Sequence, residues 1–435
     1  MSKGIGIIDG AAGDGGKGKI ANYVVHRASQ RISLPYSPLH RPILVERFQG
    51  GGNAGHTIYF EDKKIGLHQI PAGINTIHTY NLDGPKMYFD PREATKEIKM
   101  LGTEGIKVTL ENFGISANAH VTLQYHLDGD RSNFHRENHT STGSGIAQTA
   151  ADKYARTGIR FIEFLDRNLM IECLKRTFPK GIPEQYGTPE SFSDSYAEER
   201  EFLRDFLTQE HVALREHGTF CKIAEGAQGG VLDVDYGLYP GTTSSNPLEV
   251  PRYVEHLLMV FKLYQSSVGI GDRPFVARNE TLENLFGIEW GEFGTKTGRK
   301  RNLGWFDAVQ GRYSVEVAQA DYLVGTCGDK MEALQREEIK PKIVVAYKIG
   351  GKNYDEWDVS FQRRDTLYRA EPVFEEFEPW KKFADESGTL SPPAEKYVRR
   401  IEQLLDRKFI LMSKGCQRDE VIEYKDILGL PSRRG

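Results

Sequence analysis

Short apolar runs recur along the chain, and most of them stop abruptly at glycine. Gly4 to Ile8, carrying Ile5, Ile7 and Ile8, runs into Asp9-Gly10-Ala11-Ala12-Gly13-Asp14-Gly15-Gly16-Lys17-Gly18-Lys19. Ile43 to Phe48 runs into Gln49-Gly50-Gly51-Gly52-Asn53-Ala54-Gly55-His56-Thr57, and Cys221 to Ala224 into Glu225-Gly226-Ala227-Gln228-Gly229-Gly230. Runs this short and this apolar read as buried strands. Ile343 to Tyr347 and Phe409 to Met412 are two more, and Ile106 to Leu110 and His120 to Leu127 are further strand candidates. Between them lie helical segments, Lys19 to Ser29, Pro91 to Leu101 and Ala150 to Arg156. Glu93, Lys96, Glu97 and Lys99 make Pro91 to Leu101 a surface helix with opposite charges one turn apart. Asn168 to Ala213 reads as charged helix in a solvated outer layer. The alternation predicts an α/β fold, strands alternating with helices. No Pro/Gly/Ser linker divides residues 1–435, so a single domain with insertions is expected, and 30–41, with Pro35 and Pro38, reads as a surface insertion.

The glycine-rich strand ends carry the chemistry. A turn without side-chain bulk lets backbone N–H groups close on an anion, and the helix that follows points its partly positive end at the same place. Phosphate is the natural guest. The spacing is not that of a Walker A loop, and Gly18 stands where a magnesium-holding Ser or Thr would be. Asp14 is an acidic residue inside a phosphate loop, which makes electrostatic sense only if it binds a metal or handles a proton. The Gln49 to Thr57 loop adds Asn53 and His56, suggesting a second edge of one polyanion site. Thr140 to Ile146 is a third loop of small residues, and Pro240 to Asn246 clusters hydroxyls and an amide suited to neutral hydrogen bonding. Gly291 to Arg301 concentrates Lys296, Arg299, Lys300 and Arg301 between glycines, a positive loop suited to carboxylate or phosphate. Asp329 lies just past a strand, where an aspartate can accept paired hydrogen bonds from guanine.

The bulk properties narrow the class. A net charge of −4 without a dominant basic run argues against nucleic acid as partner. The four cysteines are scattered, without a CxxC or a signal peptide, so neither zinc nor a disulfide framework is suggested and a cytoplasmic location is expected. No apolar run is long enough to cross a bilayer, so no membrane partner is expected.

Taken in order, these loops resemble the adenylosuccinate synthetase family over almost the whole chain. Asn53-Ala54-Gly55-His56-Thr57 and Glu225-Gly226-Ala227-Gln228-Gly229 are the most specific matches. The resemblance implies a single α/β domain on a mostly parallel central sheet flanked by helices, related to P-loop GTPases, a homodimer, and a ligase that joins L-aspartate to IMP with GTP and one Mg2+ per subunit. By position, Asp14, His56, Lys17 and Gln228 would be catalytic, and Asp14 with the Gly55 carbonyl would hold the metal. Asn53, Thr142, Arg156, Gln228, Thr243 and Arg299 would meet IMP, Arg156 reaching in from the neighbouring subunit. Thr295, Lys296, Thr297, Arg299 and Arg301 would meet aspartate. Gly13, Gly15, Gly16, Lys17, Gly18, Lys19, Thr57, Arg301, Cys327, Asp329, Ser413 and Gly415 would meet GTP.

Four positions depart from the family pattern. Gly15 replaces the glutamate usual after the aspartate, Ser144 an arginine, Lys296 a small polar residue and Cys327 a lysine. Ser144 and Lys296 bear on the amine donor, Cys327 on GTP as phosphate donor. Two alternatives therefore stand beside the leading expectation: the same two-step chemistry on another 6-oxopurine nucleotide such as dGMP, or with another amine or ATP, and a guanine-nucleotide-binding regulator without catalysis.

Overall fold

The structure, a computed structural model, describes residues 2–32, 40–61, 63–132, 141–268, 274–289, 292 and 301–431. Most of the insertion at 30–41 lies outside these, as do Gly269 to Gly271 and, in the positive loop, Thr295, Lys296, Thr297 and Arg299.

The first apolar run becomes the centre of the molecule. Strand β1 (Lys3–Asp9) lies between Cys221–Glu225 and His256–Lys262 in a ten-stranded sheet. On one side the order continues through β2 (Ile43–Arg47), Thr79–Asp83, Phe113–Ser116 and Leu207–Thr208; on the other through Tyr322–Thr326, Phe409–Ser413 and Val421–Glu423. Every pairing is parallel except the last. Parallel strands end on one edge, so the loops after β1, β2 and Cys221–Glu225 open side by side, where ligands bind in such sheets.

Both faces of the sheet are covered, which explains why its strands lack polar alternation. Ile5 and Ile7 join one core with Val24, Val45 and Phe113, while Ile8 faces a second core with Phe261, Phe306 and Tyr397. Helix α1 (Lys17–Gln30) seats Ile20, Ala21, Val24, Val25 and Ala28 on the first of these, one stripe at helical spacing. It starts two residues earlier than its periodicity suggests, because Gly16 adopts φ 97° and turns the chain directly into it.

Three expectations are corrected. Residues 106–110 form no strand; the sheet takes Phe113–Ser116 instead, and Leu110 is left 61% exposed. His120 to Leu127 pairs only over His120–Val121 and then becomes a helix, Gln124–Arg131, started by the Leu123 N–H donating to the His126 ring. Helix α2 (Pro91–Thr103) is not a purely surface helix, for Glu97 is buried and accepts the backbone N–H groups of His68, Gln69 and Ile70 at 3.0–3.1 Å. The outer segment Asn168 to Ala213 is helical as expected, but it carries its own buried side, with Met170, Leu174, Phe192 and Leu203.

Candidate active site

The turn after β1 is organised by a residue to which sequence reasoning gave no role. Asp9, 1% exposed, accepts the N–H groups of Ala11 (2.9 Å), Gly13 (3.1 Å) and Gly15 (2.9 Å), and pairs with the ammonium of Lys17 at 3.6 Å. A carboxylate closing an otherwise apolar strand was the signal. Lys17 also donates to the Gln228 carbonyl at 2.6 Å, which fixes the loop after Cys221–Glu225 against the first turn. At Gly15 a β-carbon would stand 2.2 Å from Asp9 Oδ2, so the close approach of this hydrogen-bonded carboxylate leaves no room for a side chain there.

The second loop docks on the helix end. Gly18 lies against His56, and the imidazole Nδ1 is held in a short contact by Glu225, a fully buried carboxylate. Glu225 also accepts the Ala72 N–H at 2.8 Å. A carboxylate accepts only, so Nδ1 carries the proton and Nε2 of a neutral ring keeps its lone pair. Burial lowers the pKa of His56, with Glu225 acting against it. Glu225 was legible in its motif but unassigned; a carboxylate ending a buried strand needs a partner, and His56 is that partner.

Gln228 sits at φ 54°, and both atoms of its side-chain amide are buried without a hydrogen-bond partner. Asn53 Oδ1 shares that condition, while its Nδ2 lies 3.4 Å from Thr243 Oγ1. Gln49 ties the same loops together, donating to Ala227 O at 2.7 Å and accepting from Ser245 Oγ at 2.9 Å. Thr142 donates to Ser144 Oγ at 3.0 Å, and Ser144 reaches Gly52 O at 3.5 Å. Ser144 therefore braces two loops. Buried amides without partners among glycines are what a polar ligand would satisfy.

Asp14, at φ 57° and half-buried, meets Arg301 Nη2 at 3.0 Å. The other arm of that guanidinium goes to Glu292, 1% exposed, which also holds Lys330 (2.7 Å), Lys262 (3.1 Å) and the Tyr264 hydroxyl. Burial alone would raise the Glu292 carboxyl, but Lys262, Arg301 and Lys330 hold it well below the usual range. The surplus of positive charge beside the phosphate loop was only partly legible, because Lys262 ends the strand His256–Lys262 and Lys330 lies in the turn after Tyr322–Thr326.

On the far side, Thr326 Oγ1 donates to Gly15 O at 2.7 Å, carrying Cys327 (φ 60°) and Asp329 toward the same edge. Burial raises the Asp329 carboxyl. Lys19 donates to Ser413 Oγ at 2.7 Å and Gly415 O at 2.6 Å, bringing in the last loop. Gly55 lies between Asn53 and His56, and Thr57 is half-buried on the opposite face of its strand from His56. Arg156 stands apart: it is exposed, in a left-handed conformation at the end of helix Ile146–Ala155. Among the described residues no three His, Cys, Asp or Glu side chains group as a metal cluster, and no helix is long and apolar enough to cross a membrane.

This loop set has a known counterpart. The family model described as Adenylosuccinate synthetase matches residues 7–422. The chain belongs to the adenylosuccinate synthetase family. It is 34% identical to an adenylosuccinate synthetase of Prochlorococcus marinus over 98% of both chains. A fully ligated adenylosuccinate synthetase from Plasmodium falciparum shares its fold, with TM-score 0.81 and 24% identity over 97% of this chain and 100% of that one. A cyanophage S-2L succinoaminodeoxyadenylate synthetase bound to dGMP and dATP is more distant, with TM-score 0.58 and 16% identity over 98% and 97%. The protein is thus a ligase forming a C–N bond, as the adenylosuccinate synthetase resemblance implied.

Proposed function

We propose that this protein joins L-aspartate to IMP, converting GTP to GDP and phosphate and releasing adenylosuccinate, through a 6-phosphoryl-IMP intermediate. The observation that supports this most is that the loop bearing Asp14 and the strand bearing His56 are both seated on the N-terminus of α1, with Gly18 admitting the imidazole. A purine 6-oxygen is a poor leaving group until it is phosphorylated. Asp14 takes the N1 proton, which makes that oxygen nucleophilic. His56 presents Nε2 to the transferring phosphoryl group; the phosphate's negative charge opposes the burial that keeps the ring neutral and lets it carry a proton there. Lys17 sets positive charge under the loop, and the Gln228 amide hydrogen-bonds the reacting oxygen. Aspartate then displaces phosphate at the same carbon.

Magnesium fits the donor set. Asp9 is engaged by three backbone N–H groups and Lys17, whereas Asp14 is half-exposed beside the glycine loop, with its Oδ2 paired to Arg301. Mg2+ usually takes one or two carboxylates with phosphate oxygens and water, so Asp14 and the Gly55 carbonyl suffice as protein ligands. When bound, the ion offsets charge on the phosphates. Thr295, Lys296, Thr297, Arg299 and Arg301 hold the incoming aspartate; Asn53, Thr142, Thr243 and Arg299 hold IMP, together with Arg156 from the second subunit of a homodimer in the cytoplasm. The phosphate loop, with Thr57, Arg301, Cys327, Asp329, Ser413 and Gly415, holds GTP. The whole chain, 1–435, works as one domain.

The test is a substrate panel read by product mass: IMP or dGMP, aspartate or other amines, GTP or ATP, with magnesium. Adenylosuccinate and phosphate from IMP, aspartate and GTP, lost in Asp14→Ala, is the expected result. Product only from dGMP, or only with another amine or ATP, would replace the substrates while keeping the chemistry. Nucleotide binding without turnover in any combination would sink it.

A further inference from the structure

Lys19 lies in the first turn of α1, next to the phosphate loop, yet its ammonium is engaged by a loop from the far end of the chain. It donates to Ser413 Oγ (2.7 Å), Gly415 O (2.6 Å) and Glu420 O (3.2 Å), residues 394 to 401 positions distant in the chain. An ammonium has three donors, and all three are engaged. The segment is folded round this charge: Ser413 Oγ and the Lys414 N–H close on Gly415 O and Glu420 O, while the Glu420 carboxylate accepts the Gln417 N–H at 2.8 Å. A β-carbon on Gly415 would stand 2.1 Å from Glu420 Oε2, so a larger residue there would push the Glu420 carboxylate out of the ring. The Asp329 carboxylate acts electrostatically on the same ammonium.

We propose that Lys19 is a positioning residue that ties the helix end bearing the phosphate cradle to the 413–420 loop, fixing the spacing between the triphosphate and its base, rather than a phosphate ligand. This rests on the reading that a nucleoside triphosphate lies on the glycine loop with its base toward Asp329. A phosphate contact and a strut differ in what their loss does. Removing a phosphate contact weakens every triphosphate alike. Removing a strut loosens the base loop, so it harms most the nucleotide that uses the base loop most.

The test uses the full-length protein, with GTP, ITP and ATP as probes, measured by titration calorimetry and by steady-state kinetics. ITP lacks the 2-amino group that distinguishes guanine, and ATP lacks the 6-oxo pattern altogether. In Lys19→Met, GTP affinity is expected to fall roughly 10-fold or more, the scale of one charge-assisted hydrogen bond. ITP should lose less and ATP least, so the GTP:ITP ratio narrows, and KM for GTP should rise far more than kcat falls. Amides of 413–420 should exchange faster without nucleotide. Gly415→Ala opens the ring from its other side and should give the same narrowing, which guards against a Lys19 variant that folds poorly. Equal losses for all three triphosphates, or an unchanged exchange pattern, would overturn the proposal and make Lys19 a phosphate contact. If the unaltered protein binds none of the three, the underlying nucleotide reading fails, a result separate from a uniform loss in the variant.

Discussion

A β-carbon on Gly18 would stand 2.7 Å from the β-carbon of His56. The position that holds a hydroxyl in a Walker A loop is here reduced to hydrogen so that an imidazole can take its place. Gly18→Ser should therefore behave against helix propensity, which favours serine over glycine by a few tenths of a kcal/mol. Phosphate release is expected to drop by roughly 10²-fold or more, the usual weight of a general acid or base, with a lower melting temperature rather than a higher one. Normal turnover in Gly18→Ser would mean that His56 does not need its observed seat.

Glu225→Gln keeps the shape of the side chain but offers one acceptor where the carboxylate serves two donors, His56 Nδ1–H and the Ala72 N–H. Its amide can satisfy Ala72 only by presenting N–H to the ring, which moves the imidazole proton to Nε2. The expected loss in kcat is between roughly 10²- and 10⁴-fold, as for other histidines deprived of their orienting carboxylate. Nitrogen NMR of the His56 ring should report the switched tautomer; an unswitched ring with full activity would count against the role.

Asp9→Asn should weaken the fold as well as the site. Lys17 is 3% exposed and would lose its buried carboxylate partner, while at least one of three loop N–H groups loses an acceptor. A cost of about 3 kcal/mol is expected, readable as a lower urea midpoint with an unchanged slope.

Stability should also carry a pH signature from Glu46. Burial raises its carboxyl from 4.5 to about 8, with the Tyr253 hydroxyl donating to it at 2.8 Å. The folded state then binds a proton that the unfolded state has released, so this group's contribution falls as pH rises from about 4.5 to about 8 and is level outside that window. Each pKa unit is worth about 1.36 kcal/mol, a few kcal/mol in all. Glu46→Gln should flatten melting temperature against pH in that interval; an undiminished slope would assign it to other groups.

What could be read beforehand depended on whether a cause was local. Each glycine-rich strand end was legible because an apolar run halted by glycine announces both strand and turn. The misread segments are those where a partner elsewhere decides. Ile106, Val108 and Leu110 alternate as a strand would, but among the described residues no neighbouring strand pairs with them. Val121 and Leu123 continue the alternation until His126 folds back to start a helix. Glu97 looked like one charge of a surface pattern; three N–H groups of a distant turn make it a buried acceptor, with its carboxyl raised to about 7 by burial. Asp9 and Glu225 were visible as carboxylates closing apolar strands, but their partners belong to other parts of the chain.

The Gln228 amide, buried without a partner between the glycine loops, gives the site a means of refusal. A visitor that closes over it without matching polar groups seals in dry, unanswered dipoles, each costing about 1–3 kcal/mol. Under the proposed reading, in which this amide meets the purine 6-oxygen, a nucleotide stripped of that oxygen would be turned away by what it fails to bring, even where its outline fits.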